Sequence, residues 1–457
     1  MILSDRKYLD LPLPEDVEKR KMHGDFTKAE ALIDRRLQGD IPQCLRKRLE
    51  IEKEILQTLR AAYPYTLSEA VRMVQEKVPA FTREDLEELI DQDLMDWYYI
   101  DGEICLIDSF LDNLAKVDHP LLKKADMKKG DDEFDQKQKM LNDTMAEMKA
   151  KGGMALRYTL RASLKLNEDK VQEGKNILVH LPVPTMGTQI RNIQILEHTD
   201  CPFELAPDDH PSRTIAFRKA LERDDEFFVK YSFEVHAPYV ALDPAKADKE
   251  QPSFCTEEQE PHILFTPFIR DLCEEILGDE TNPVEKARKI YDYVTTHVHY
   301  SFVRPYSAFN NIPEYAAVNG KGDCGVQALL FITLCRCAGV PAKWQSGLYL
   351  GANDVGSHDW AQFYIAPYGW VYADLSFGGS SHRVGNEERR QFYFGNLDPY
   401  RMVANTEFGH EFSPAKAHTR FDPTDNQYGE AEYADGPLGQ QDYTCQRIVV
   451  EQEKLPF

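Results

Sequence analysis

The sequence predicts an α+β chain assembled from segments of different character. Three observations carry this. The first 118 residues are helix-rich and close on a short hairpin signal. Residues 154–243 change to alternating apolar and polar positions broken by Gly, Pro, Asn and Asp. After residue 280 a single apolar helix, from about Cys324, is followed by two adjacent strands. At 457 residues, about two to four domains are expected.

Taken in order, Leu67–Val74 and Arg83–Ile90 read as short amphipathic helices with polar starts. Trp97–Ile100, Asp101-Gly102 and Glu103–Ile107 read as a hairpin. Helices followed by a hairpin suggest a winged-helix-like module over residues 1–118. DNA is not its expected partner: residues 66–118 hold fourteen Asp/Glu and four Lys/Arg, the reverse of a nucleic-acid reader. Residues 119–151 are highly charged and read as a solvated linker helix. Residues 152–245 read as a β-sandwich, with strands around Leu156–Leu166, Ile177–Leu181, Ile190–Ile195 and Phe227–Val235. His180 falls on one of these strand faces and reads as structural. Residues 255–457 read as one core whose last strands, around Cys445–Val450, complete or decorate its sheet.

The core carries the chemistry. Asp323 is placed to cap a helix that starts at Cys324, and Gly339 with Pro341 ends it. Val326, Leu329, Leu330, Ile332 and Leu334 make that helix apolar all round, as a buried central helix is. A cysteine in the first turn meets free N–H groups and the positive dipole end. Its pKa is therefore expected below the free value of about 8.5. On the next strand His358, Trp360, Gln362 and Tyr364 share a face. On the return strand Trp370, Tyr372 and Asp374 share one. His358 and Asp374 meet only if paired residue numbers have an even sum. Tyr364 opposite Trp370 satisfies this, and 365 opposite 370 does not.

Each residue alone has an ordinary explanation. A cysteine is often a small buried hydrophobe, and a lone histidine is often just a hydrogen-bonded one. The ordered trio on helix, strand and strand is what points to a nucleophile, its base and the acid that orients the base.

Several motifs are similar to those of the transglutaminase-like superfamily. They are Gly322-Asp323-Cys324, the helix end Leu334–Lys343, His358-Asp359-Trp360-Ala361, Gly369–Asp374 and the lead-in Asn282–Val294 with His299-Tyr300. The resemblance spans about residues 280–380. It implies a papain-like transglutaminase core, acyl transfer on an amide of a protein, peptide or glycopeptide, and Cys324, His358 and Asp374 as the catalytic triad. Tyr300 is the candidate oxyanion residue and Trp360 the candidate for the substrate cleft. Gly325 and Ser376 stand where animal transglutaminases carry Trp and Pro, so the chain resembles bacterial-type members. Hydrolysis is the expected outcome. Amine transfer and an inactive binding scaffold are the alternatives.

The remaining expectations are negative or global. A net charge of −23 argues against nucleic acid and anionic membranes as partners. Nine cysteines, an odd number without paired spacing, read as reduced thiols in the cytoplasm, and the first residues lack the apolar stretch of a signal peptide. Cys335 and Cys337 have no histidines at metal spacing, so no metal and no cofactor are expected.

Overall fold

The computed structural model describes residues 7–9, 11–117, 131–187, 189–351, 355–418, 420 and 424–457. They form two compact units. One holds the N-terminal part to Gln138 together with Tyr300–Asn311. The other holds Lys139–His299 and Ile312–Phe457.

In the first unit, helices Glu15–Met22, Phe26–Leu37 and Gln43–Ala62 precede strand Tyr65–Thr66. Helices Leu67–Gln75 and Arg83–Asp91 follow, then strands Trp97–Ile100 and Glu103–Leu106. The last strand lies between the other two. This helix–strand–helix–helix–hairpin order is the one expected of a winged-helix-like module. Both short helices start on capping boxes, Thr66 with Glu69 and Thr82 with Asp85, which satisfy free N–H groups of the first turn. Asp101 and Gly102 both have positive φ, as a two-residue hairpin turn requires. Phe26, Leu56, Val74, Phe81, Leu86 and Phe110 fill the core, and Tyr98 packs on Phe26 and Tyr63. The segment Tyr300–Asn311 is tied in by Asn113. Its Nδ2 donates to the Phe302 carbonyl at 2.9 Å, and its Oδ1 accepts the Phe302 N–H at 2.8 Å.

The second unit opens at Lys139, within helix Asp131–Lys151. Residues 119–130 of the expected linker lie outside the described residues. The remainder is not a solvated linker. Leu141, Met145 and Met148 are buried, Thr144 and Tyr400 share a hydrogen bond of 2.7 Å, and Asn142 accepts from Asn386 and Arg389. Among the described side chains Asp135, Lys137, Lys139, Asp143 and Lys151 are exposed.

A β-sandwich follows. Gly153–Leu166, Phe227–Pro238 and Ile190–His198 lie in one sheet, and Asn176–Pro182, Thr214–Ala220 and Phe203–Leu205 in the other. The final strands do not extend the core sheet as expected. Tyr443–Leu455 pairs along Gly153–Leu166, and Glu430–Tyr433 pairs with Asn176–Pro182. The sandwich is therefore closed by the chain's end. His180 is buried within it and bonds Thr214 Oγ1 at 2.9 Å. Burial lowers its pKa to about 3, so it is a neutral structural residue.

The core sheet has five antiparallel strands, with Ala342–Leu350, Val355–Ile365 and Gly369–Ala373 consecutive at its centre. Phe394–Gly395 forms one edge and Arg401–Asn405 the other. Helix Cys324–Cys337 packs on it, Phe331 meeting Phe363 edge to face at 5.7 Å, and every residue from Gly325 to Arg336 is buried. The lead-in helix Pro283–His297 starts on Asn282, whose side chain accepts from the Val284 and Glu285 N–H groups. Among the described residues no helix is long and apolar enough to cross a membrane.

Candidate active site

The helix that bears Cys324 begins where the sequence places it. Asp323 accepts the Val326 N–H at 3.1 Å and closes the first turn. Gly339, at φ +75°, supplies the left-handed residue that ends the helix. Cys324 is the first helical residue, so its own N–H has no partner within the helix.

The strand register is the one that lets histidine and aspartate meet. Tyr364 faces Trp370 and Ala361 faces Ala373, with no bulge between. The sum is even, and the connecting loop is only residues 366–368. Asp374, the next residue, lies diagonal to His358, and the two side chains join: His358 Nε2–H donates to Asp374 Oδ2 at 2.7 Å. Asp374 is also the N-cap of helix Leu375–Arg383, its Oδ1 accepting the Phe377 N–H at 3.0 Å. Arg401 donates to the same Oδ2 at 2.9 Å and reaches Asp398 at 3.1 Å. Phe377 and Trp360 flank the imidazole, ring centres 5.0 and 5.7 Å away.

This surrounding sets the charge states. Burial pushes Asp374 up, but His358, Arg401 and the Phe377 N–H together hold it below the usual carboxylate range. Burial lowers His358 against the pull of Asp374, so the imidazole is neutral. Arg401 keeps the carboxylate ionised beside it. With Nε2 donating to Asp374, Nδ1 carries the ring's lone pair and is the atom able to take a proton.

Cys324 itself departs from expectation. Among the described residues its thiol hydrogen-bonds Asp359 rather than His358, Sγ donating to Oδ2 at 3.4 Å. The thiol is pushed up, not down. Burial is the largest cause, and the Asp359 and Asp323 carboxylates add to it. The helix end offers N–H groups, but two acids and partial burial outweigh them. Asp359 is held in turn by Gln427, whose Nε2 donates to Asp359 Oδ1 at 2.5 Å and to the His358 carbonyl at 3.1 Å. Two adjacent residues of one strand thus hold the two partners: His358 bonds Asp374, and Asp359 bonds the Cys324 thiol.

The surroundings of two further candidates are as follows. Trp360 is fully buried, with its indole N–H donated to Gln345 Oε1 at 2.6 Å. Its ring packs beside the His358 imidazole. Tyr300 belongs to the N-terminal unit, where its ring packs on Phe302 at 5.6 Å and Lys116 lies over it. The residues that sequence reasoning missed are Asp359, Gln427 and Arg401. Asp359 was visible only as the neighbour of His358. Gln427 and Arg401 sit in a polar, aromatic stretch with no local pattern to mark them. Among the described residues no group of three or more His, Cys, Asp or Glu could hold a metal.

A family model matches part of this core. Residues 270–375 match the family model of the transglutaminase-like superfamily. A curated but uncharacterised protein of Haemophilus influenzae is 30% identical over 145 residues, which cover 25% of this chain and 37% of that protein. The matched stretch is thus little more than a third of the relative's length. Among solved structures, a candidate cysteine protease from Cytophaga hutchinsonii aligns with a TM-score of 0.36 at 13% identity, covering 67% of this chain and 93% of that one. The periplasmic domain of TgpA from Pseudomonas aeruginosa aligns with a TM-score of 0.27 at 15% identity, covering 55% and 96%. The segment that bears Cys324, His358 and Asp374 is a core of the transglutaminase-like superfamily.

Proposed function

We propose that the chain is a cysteine-dependent enzyme that transfers the acyl group of an amide, in a protein, peptide or glycopeptide, chiefly to water. Cys324 is the nucleophile, His358 its base and Asp374 the acid that orients the base. The observation that supports this best is the buried His358–Asp374 hydrogen bond of 2.7 Å, on the strand whose next residue holds the Cys324 thiol. It fixes the tautomer with a lone pair on Nδ1, as a base that accepts a thiol proton requires.

The neutral thiol and neutral imidazole make proton transfer part of the attack. Sγ forms a bond to the carbonyl carbon as its proton passes to His358 Nδ1. The developing oxyanion is met by the Cys324 N–H at the helix start. The C–N bond then breaks, and the imidazolium returns its proton to the leaving amine, while Asp374 stabilises the charged ring. The thioester is opened by water, whose proton His358 takes before handing it back to sulfur. For this sequence the thiol has to turn from Asp359 to His358. Catalytic hydrogen bonds are often loose without substrate and tighten in the complex.

The test is a panel of peptide amides, with and without an added primary amine. Release of ammonia, amine or a new carboxylate by the wild-type chain, lost in Cys324→Ala, is the expected result. Incorporation of the amine would move the reading to transglutamination. Turnover that survives in Cys324→Ala would remove it. A second reading, a binding scaffold with a silent core, is favoured by one observation: the resting thiol is bonded to Asp359 rather than to the base. No product from any amide, with tight binding of one of them, is the result that would select it. We also propose the cytoplasm as its compartment, because an odd set of nine cysteines without paired spacing suits reduced thiols. Fewer than nine free thiols in freshly isolated protein would argue otherwise.

A further inference from the structure

We propose that Asp359 is a positioning residue for Cys324: its carboxylate, clamped by Gln427, holds the sulfur by a hydrogen bond and has to release it before His358 can receive the thiol proton. The proposal rests on Cys324 being the reacting group.

The clamp is specific in its geometry. Asp359 Oδ2 accepts from Cys324 Sγ at 3.4 Å, and Oδ1 accepts from Gln427 Nε2 at 2.5 Å. The same nitrogen donates to the carbonyl of His358 at 3.1 Å. Gln427 therefore ties the carboxylate to the backbone of the histidine itself. Asp359 and Gln427 are both buried, and Ser346 faces Asp359 from the neighbouring strand. The carboxylate cannot swing aside without breaking these bonds.

Two effects follow for the sulfur. An S–H···O⁻ bond stabilises the neutral thiol, and a carboxylate in contact with sulfur opposes the negative charge of a thiolate. Other ionisable groups on the elements around Cys324 are Asp323 on the helix cap and Lys321 before it. His358 lies on the strand, with Asp374 behind it and Arg401 beyond. Of the acids, Asp359 has the larger influence on the thiol after burial, ahead of Asp323. It is also the one hydrogen-bonded to sulfur, while Asp323 is spent on the Val326 N–H. The resting enzyme is thus held in a slow-reacting form, released when an arriving amide displaces the thiol from Asp359.

Alkylation tests this without any substrate. The full chain is treated with iodoacetamide from pH 5.5 to 10, and labelling of the Cys324 peptide is followed by mass spectrometry. Sulfur displaces iodide as the thiol proton goes to buffer. Asp359→Asn keeps the shape and removes the charge. Its labelling midpoint is expected at least about one pH unit lower, with labelling of Cys324 at pH 7 at least about tenfold faster. Labelling of exposed Cys44 should not change. A purely structural role would leave the midpoint in place. If Asp359→Asn fails to melt cooperatively, Gln427→Leu and Asp359→Ala carry the test, each expected to speed labelling at pH 7. An unmoved midpoint in a folded variant, or no acceleration in any of the three, overturns the proposal. A shifted midpoint in a chain with no turnover keeps it and removes only the enzymatic reading.

Discussion

Asp374 shows most clearly how much one side chain does here. One oxygen caps a helix through the Phe377 N–H, and the other accepts from His358 and Arg401. Asn caps a helix about as well as Asp. Asp374→Asn should therefore fold normally yet lose turnover, toward the roughly 10⁴-fold seen when the equivalent acid is made an amide in serine proteases. A near-wild-type rate would show that Asp374 has no orienting role. His180 gives a second prediction. In the unfolded chain it takes a proton near pH 6.5; buried, it waits until about 3. Between these values the unfolded state binds more protons, so stability is lost as pH falls, by up to about 1.4 kcal/mol per unit. Denaturation of His180→Gln from pH 6.5 to 4.5 should show a slope shallower than wild type by about that amount. Parallel curves would contradict it. The helix start at Cys324 and the meeting of His358 with Asp374 were legible because each rests on a local pattern: a cap, an alternating strand, a parity rule. Asp359 and Gln427 were not, because their bond joins residues 68 apart in sequence.

Among the elements, the histidine strand depends on a neighbour with no side chain. Gly347 faces His358, and a Cβ there would lie 1.9 Å from the Met402 carbonyl oxygen on the next strand. Gly347→Ala must push two backbones apart, so a loss of at least about 2 kcal/mol is expected in chemical denaturation at pH 7. A change under about 0.5 kcal/mol would mean the edge strand shifts freely. The central elements were readable because their residues must bury a face or close a first turn. The strand Tyr443–Leu455 was misplaced for the opposite reason. It is an edge strand, and most of its Glu451–Leu455 end is exposed, so no apolar rhythm announces its partner. The helix Asp131–Lys151 was misread likewise: its charges are real, and its buried Leu141, Met145 and Met148 are few among them.

For the molecule as a whole, the division of the chain matters most. The N-terminal unit takes Tyr300–Asn311 from the middle of the sequence, and buried Asn113 spends both ends of its amide on Phe302. A fragment of residues 1–138 leaves that amide unpaired and is expected to melt well below the same unit in the full chain. An unchanged melt would show the borrowed segment to be dispensable. A winged-helix order could be guessed from helices and a hairpin; the borrowed segment could not, because it lies inside the catalytic sequence. The account's central claim is that chemistry passes through the sulfur of Cys324. The direct measurement is mass spectrometry of the intact chain quenched in acid during exposure to a peptide-amide library. An acyl adduct on Cys324 is expected, absent in Cys324→Ala and scarcely formed in His358→Ala. Amide turnover with the adduct on another residue, or at the same rate without Cys324, would contradict the account.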